Sequence, residues 1–454
     1  MATAYPLHTR PTRLRRARRA NGENRPFRPS SLYLLRMISL ASDRMTWSRT
    51  IDALCGWSAV GMVFAAPVSR SLFLLAALLF VLSWTAHPEW HLKWRLATES
   101  LVARALWILA TMVVVWTVFS PAPVDDAINN LKVYSKLLLV LMLQLPFSQA
   151  MWRQRAFAAF TAAIALVLLS TYANVFVDLP WSHTRNQGFG QDHSVFVEYV
   201  SQSVMTAIFV AHAVHQALNS PSKCQRIAWW LSASLALFSV VFLLQGRSGL
   251  VATVVVAAVL LILQAPNRLR WRTAVVVLAL GTLLVVASPL MRDRLMQAYL
   301  EVIQHQPFDQ TSLGARMDMW GLAWKTTWEH PLLGSGSGSY PTLANAYFGH
   351  CEMTCIHPHN QYLFFSMEFG LPVLGAYLAL LAAIGVTAHR SVDDSRVLLW
   401  AWLAVVAIDG LFNVPLWYRA QSYFFYVMLG LLLASNLPSP HPHRALRRGD
   451  APTI

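Results

Sequence analysis

Three arginines and two histidines stand in settings where side-chain chemistry is the natural reading. Residues 185–189 read Arg185-Asn186-Gln187-Gly188-Phe189, a tight turn reads Gly246-Arg247-Ser248-Gly249, and Arg316 follows Leu313-Gly314-Ala315. His357-Pro358-His359-Asn360 leads into a long apolar run. A guanidinium group is planar, permanently charged and matched to paired phosphate oxygens, which suits it to a pyrophosphate. A neutral imidazole accepts a proton near neutral pH, which suits it to general-base work. A lone arginine at a membrane boundary more often anchors by snorkelling, and a lone histidine more often caps or packs. The coincidence of three arginines, two of them beside glycines that permit close approach, favours chemistry for His359. His357 is evenly divided between the two readings. Arg70 and Arg419 fall outside these motifs and read as anchors that tolerate lysine.

A second pattern overlaps the histidines: His350-Cys351-Glu352-Met353-Thr354-Cys355-Ile356-His357. Cys and His at these spacings suit zinc. In an oxidising compartment a Cys351–Cys355 disulfide, or a pair of free thiols, is the stronger reading. Pro331-Leu332-Leu333-Gly334-Ser335-Gly336-Ser337-Gly338-Ser339-Tyr340 is rich in glycine, but it lacks the lysine of a phosphate loop and follows a helical stretch. No nucleotide site is expected there.

The elements that position these residues are membrane helices. Of 454 residues, 56% are hydrophobic and 13% charged, with a mean hydropathy of +0.44. A soluble domain carries about a quarter charged residues, so the expected class is an all-α integral membrane protein. Apolar runs fall at about 51–66, 71–86, 101–119, 131–146, 156–178, 194–217, 227–244, 249–265, 273–288, 360–387, 397–411 and 420–437, which is about twelve transmembrane helices. The runs are continuous and not alternating, which excludes a β-barrel. With a cytoplasmic N-terminus, most of the 36 Lys and Arg residues lie in cytoplasmic segments, whereas 120–130 carries Asp125 and Asp126 and no basic residue. The candidate residues then share the periplasmic face of a bacterial inner membrane. The net charge of +15 follows from this topology and from contact with membrane lipids, and nucleic-acid binding is not expected.

The expected organisation is a basic, disordered cytoplasmic arm over 1–45, helices one to nine within 46–288, a partly helical periplasmic loop over 289–359, helices ten to twelve within 360–437, and a cytoplasmic tail over 438–454. Within the loop, Met291–His305 and Leu313–Trp328 have helical spacing, the latter with a Trp and Met stripe that reads as a packing face. A transporter of the major facilitator type is the rival class for twelve helices. The two halves do not resemble two copies of six helices, and the candidate groups gather at one face instead of the midplane.

The motifs resemble the O-antigen ligase and O-antigen polymerase superfamily. Arg185-x-x-Gly188-Phe189, Gly246-Arg247-Ser248-Gly249, Arg316 three residues before Met319-Trp320, His357-x-His359-Asn360, His330-Pro331-Leu332-Leu333-Gly334-Ser335-Gly336 and Glu368-Phe369-Gly370-Leu371 stand in the order of that superfamily. Gln191-Asp192-His193 departs from the Asn-Pro-Asn-like run of relatives, so no role is carried to those positions. The resemblance implies a type C glycosyltransferase fold. It implies transfer of a glycan from undecaprenyl pyrophosphate to a sugar hydroxyl, with inversion and without nucleotide sugar, cofactor or metal. Arg185 and Arg247 would hold the pyrophosphate, Arg316 would bind the same phosphates or an acid-rich acceptor, His359 would be the base, and Gly188, Asn360 and Glu368 would support them. Ligation to the lipid A-core oligosaccharide is favoured over polymerisation of O-units.

Overall fold

The structure is a computed structural model that describes residues 31–264, 266–287, 289–306, 311, 313–349, 356–391 and 395–436. The described residues form helices and connecting turns, with no strand among them. The chain divides into two units, residues 1–49 and 50–454. In the first, the described backbone is helical from Ser31, inside the segment expected to be a disordered arm, where Leu32-Tyr33-Leu34-Leu35 opens an apolar stretch. Residues 1–30 and the tail beyond 436 lie outside the described residues.

The helices are α1 (Ser31–Ala65), α2 (Arg70–Ala86), α3 (Trp90–Thr98), α4 (Leu101–Val118), α5 (Val124–Tyr134), α6 (Leu137–Phe147), α7 (Ala150–Asn174), α8 (Tyr199–Asn219) and α9 (Lys223–Phe238). They continue with α10 (Arg247–Gln264), α11 (Arg270–Ala287), α12 (Pro289–Ile303), α13 (Gly314–Glu329), α14 (Tyr340–Phe348), α15 (Gln361–Arg390), α16 (Ser395–Phe412) and α17 (Arg419–Ala434). A single π turn, Ser239–Leu243, extends α9. Side chains close several N-termini: Ser100 Oγ accepts from Ala103 N, and Asn360 Oδ1 accepts from Tyr362 N and Leu363 N.

Each of the twelve apolar runs overlaps at least one helix. Among the described residues, five helical segments are long and apolar enough to cross a bilayer: 101–118, 150–174, 223–243, 361–390 and 395–412. The α2–α3 pair, bent by 115°, makes a sixth if it is counted as one span. The run expected over 131–146 is not one helix; Ser135 and Lys136 separate α5 from α6. The interruption puts Lys136 at a helix boundary instead of inside a span. Exposed leucines at 72, 75, 78, 79 and 82 of α2, and Val275, Val276, Leu280 and Leu283 of α11, form apolar faces of the kind that lipid covers.

Inside, α8 packs on α9 and α10, α6 on α17, and α15 on α4 and α16. Small residues set the closest approaches. A methyl group built on Gly249 would stand 2.1 Å from the Ser203 side chain of α8, which is how membrane helices bring their backbones together. Between α11 and α15 the long segment is more helical than expected, adding α14 to the two helices read from spacing. Its stripe divides: Met319 is buried against Tyr340, Phe364 and Met367, while Trp324 and Trp328 face outward.

Candidate functional site

The long segment is fixed to α15 by backbone pairing, and this places the histidines. Gly370 breaks α15 with φ 78, freeing hydrogen-bonding groups within an apolar helix. The turn after α13 takes them up: Ser335 N donates to Met367 O at 2.8 Å, Gly336 N to Glu368 O at 3.0 Å, and Leu371 N to Pro331 O at 2.8 Å. Irregular backbone survives at membrane depth only where protein satisfies it in this way. The two motifs at 330–336 and 368–371 are therefore halves of one joint. Glu368 stands beside it, fully buried, accepting from Asn130 Nδ2 at 2.5 Å and from Tyr340 N at 3.4 Å. Its contacts are those of a clamp between α5, α14 and α15.

The other end of the segment enters α15 through His357 and His359. Asn360 caps the helix and also donates through Nδ2 to Leu411 O at 3.1 Å. Immediately before it, His359 has φ 50, the left-handed region, and no other described non-glycine residue has positive φ. Backbone of this kind costs energy and persists where the surroundings enforce it, commonly at functional sites. The two imidazoles lie 4.4 Å apart, and His357 also meets the Trp417 ring edge-on at 5.1 Å. Nδ1 of each is buried without a hydrogen-bond partner among the described residues.

The charge of Arg316 acts on this pair. Burial pushes the His359 imidazole down to about 4, and the charge of Arg316 pushes in the same direction. His357 is held well below its ordinary value by burial first, then by His359, with Arg316 a smaller contribution. Both rings are neutral at pH 7 and able to accept a proton. Arg316 also bears on Asp409 of α16, whose carboxylate accepts from Asn413 Nδ2 at 2.6 Å. The platform under Arg316 is firm: His305 Nε2 and Asp318 Oδ1 pair at 3.2 Å between α12 and α13, and Leu313 N donates to the buried Glu301 carboxylate at 2.7 Å.

The remaining candidates are less closely joined. Arg185 is exposed on the 179–198 loop, two residues beyond His183, which lines a cavity with Glu198 and His357. Gly188, at φ 81 with open space where a Cβ would stand, supplies backbone freedom to the loop, and its carbonyl meets His193 Nε2 at 2.7 Å. His193 and Asp192 are buried, and Ser194 Oγ donates to Asp192, whose carboxyl burial pushes up. These two residues fold the loop. Arg247 opens α10, and its side chain lies outside the described residues, as do Cys351 and Cys355. Gly246 and Gly249 are used to seat α10 on Ser203, so the glycines beside Arg247 serve helix packing.

Two cavities that share walls lie near the histidine turn, and His357 lines one of them. One of about 570 Å³ is walled by Arg70, His183, Glu198, His357, Trp417 and Arg419. The other, of about 420 Å³, runs along α5 past Asn130 and Lys136 to Glu368 and shares Arg70, Ile356, Trp417, Arg419 and Tyr423 with the first. Segments assigned to one membrane face by charge thus meet around common cavities. Arg70 and Arg419, read from sequence as anchors, are walls of both. Sequence reasoning also missed Trp417, Lys136 and Asp409, which stand in no recognisable motif. Asp409 and Lys136 were legible as ionisable residues within apolar runs.

Among known families, one described as O-antigen ligase matches residues 231–378, a stretch from α9 through the first part of α15 that contains Arg247, Arg316, His357 and His359. No curated protein matches the chain.

Proposed function

We propose, on the match of residues 231–378 to the O-antigen ligase family, that this chain belongs to the O-antigen ligase and polymerase superfamily and is an O-antigen ligase. It would be a multi-pass protein of about twelve spans with the type C glycosyltransferase fold, lying in the bacterial inner membrane with its site toward the periplasm. The reaction moves a glycan from undecaprenyl pyrophosphate to a sugar hydroxyl of the lipid A-core oligosaccharide. The observation that carries this reading is His359, held in left-handed backbone, in ring contact with His357 and under the charge of Arg316.

In this mechanism the acceptor oxygen bonds to the anomeric carbon while the bond from that carbon to the pyrophosphate oxygen breaks, inverting the centre. His359 takes the hydroxyl proton. Arg316, with Arg185 and Arg247, receives the charge developing on the leaving pyrophosphate and supplies without a metal ion what a divalent cation would contribute. Pyrophosphate beside Arg316 also offsets the positive charge that depresses His359, so the base strengthens when donor binds. Asn360 and Glu368 hold the histidine turn and the long segment against α15, and Gly188 shapes the loop that carries Arg185.

The lipopolysaccharide of a deletion strain tests the assignment. Loss of a ligase leaves unsubstituted lipid A-core and accumulated lipid-linked polymer. A single capped repeat on the core would assign polymerase activity instead, and trapping of single units on the cytoplasmic side would assign transport.

A further inference from the structure

The cavities beside His357 carry more positive charge than the proposed donor chemistry uses. Arg70 opens α2, Lys132 lies on α5, Lys136 precedes α6 and Arg419 opens α17, and all four line the cavity along α5. Lys136 Nζ donates to Ser422 Oγ at 2.8 Å and stands 4.6 Å over the Tyr423 ring, with the like charges of Arg419 and Arg70 bearing on it. Among the described residues the Arg70 and Arg419 guanidinium groups have no hydrogen-bond or ion-pair partner. Of the carboxylates lining this cavity, Glu368 is engaged by Asn130 and Tyr340, which leaves Asp126. Like charges crowded into a concave wall repel unless an anion joins them, and the N-termini of α2 and α17 add to the positive potential.

The same walls offer what a sugar ring uses. Tyr423 stacks on Phe73 at 4.3 Å, which fixes its plane, and Trp417 is held by donation from its indole N–H to Asn130 Oδ1 at 2.8 Å. Aromatic faces and amide groups such as Asn129 line the cavity between the cations. Arg316 lines neither cavity, so the cationic cluster is separate from the arginine whose charge acts on His359.

We propose that this cleft is a binding site for a phosphorylated saccharide, with Arg70, Arg419 and Lys136 on the phosphate and Trp417 against the ring. Resting on the ligase reading above, that saccharide is the glycosyl acceptor, recognised through a phosphate on its sugar and delivered beside the His357–His359 pair. A phospholipid headgroup offers the same phosphate chemistry, and the sugar is what separates the two sources.

The test is calorimetric titration of the full chain in neutral detergent with glucose 6-phosphate, glucose, inorganic pyrophosphate and phosphatidylglycerol micelles. Glucose 6-phosphate binds and glucose does not, and phosphatidylglycerol fails to displace the sugar phosphate. The double variant Arg70→Gln, Arg419→Gln weakens glucose 6-phosphate by at least about tenfold, the scale of lost charge-assisted hydrogen bonds, while pyrophosphate affinity moves by less than about twofold. The Arg70→Lys, Arg419→Lys protein, matched for thermal unfolding, retains an intermediate affinity, which separates loss of charge from loss of fold. Unchanged glucose 6-phosphate binding in the Gln variant overturns the proposal. Equal loss of pyrophosphate binding moves the cluster to the donor, and displacement by phosphatidylglycerol makes it a membrane anchor. These readouts need no turnover, so a failure of the ligase assignment in the deletion strain is distinguishable from a failure here.

Discussion

His359 and Arg316 are coupled through charge, and the coupling has a measurable sign. With the imidazole pushed down to about 4 in the free protein, His359 remains neutral through pH 6 and the acid limb of kcat/KM lies near that value. Arg316→Gln removes a positive charge and moves the limb to higher pH, even as the rate falls; an unmoved limb in a pH–rate profile would show that the pair does not communicate. The donor arginines make a second residue-scale prediction. Arg185→Lys and Arg247→Lys each replace a fork by a point charge, so each weakens binding of an undecaprenyl pyrophosphate analogue and slows transfer. Full activity in both at normal expression would return them to the role of anchors. The histidines and Arg316 were legible in the sequence because rare residue types stood in a familiar order. Arg70, Arg419 and Trp417 were not, since their importance comes from the meeting of α2, α6 and α17, which no local spacing announces.

The element on which the site depends is the joint between the 330–336 turn and broken α15. A Cβ on Gly370, at φ 78, would stand 2.5 Å from Leu332 O, and one on Gly334, at φ 68, would stand 2.4 Å from Glu368 O. Backbone cannot yield as a side-chain tip does, so Gly370→Ala destabilises by about 2–4 kcal/mol, combining left-handed strain with overpacking. Gly188→Ala meets open space and carries only the strain, about 1 kcal/mol. Thermal unfolding in detergent checks the order, and an equal effect of the two would remove the joint from the account. Periodicity exposed α12 and α13 because each carries apolar residues at helical intervals. It gave no sign of the joint, because a backbone-to-backbone pairing between Pro331 and Leu371 leaves no side-chain pattern. The division of 131–146 at Ser135 and Lys136 was similarly hidden: flanking leucines and valines sustain the hydropathy across the break.

At the scale of the molecule, the pattern of basic loops assigns faces, and the cavities gather segments from one of those faces: the starts of α2 and α17, the 183–198 loop and the histidine turn. Periplasmic reporters fused at Asn345 are therefore expected to be active and those at Asn267 inactive; the reverse would put the whole site in the cytoplasm. The helical class followed from composition, whereas the angle of α3 and the docking of the long segment depend on tertiary contacts that composition does not encode. The central claim is that His359 removes the acceptor proton while arginines hold the donor. Purified His359→Ala protein, assayed for transfer and for binding of an undecaprenyl pyrophosphate analogue, tests it most directly. The account predicts that transfer is abolished with donor affinity preserved and that the wild-type reaction survives EDTA. Substantial transfer by His359→Ala, or wild-type activity lost to EDTA and restored by Zn²⁺, would contradict it.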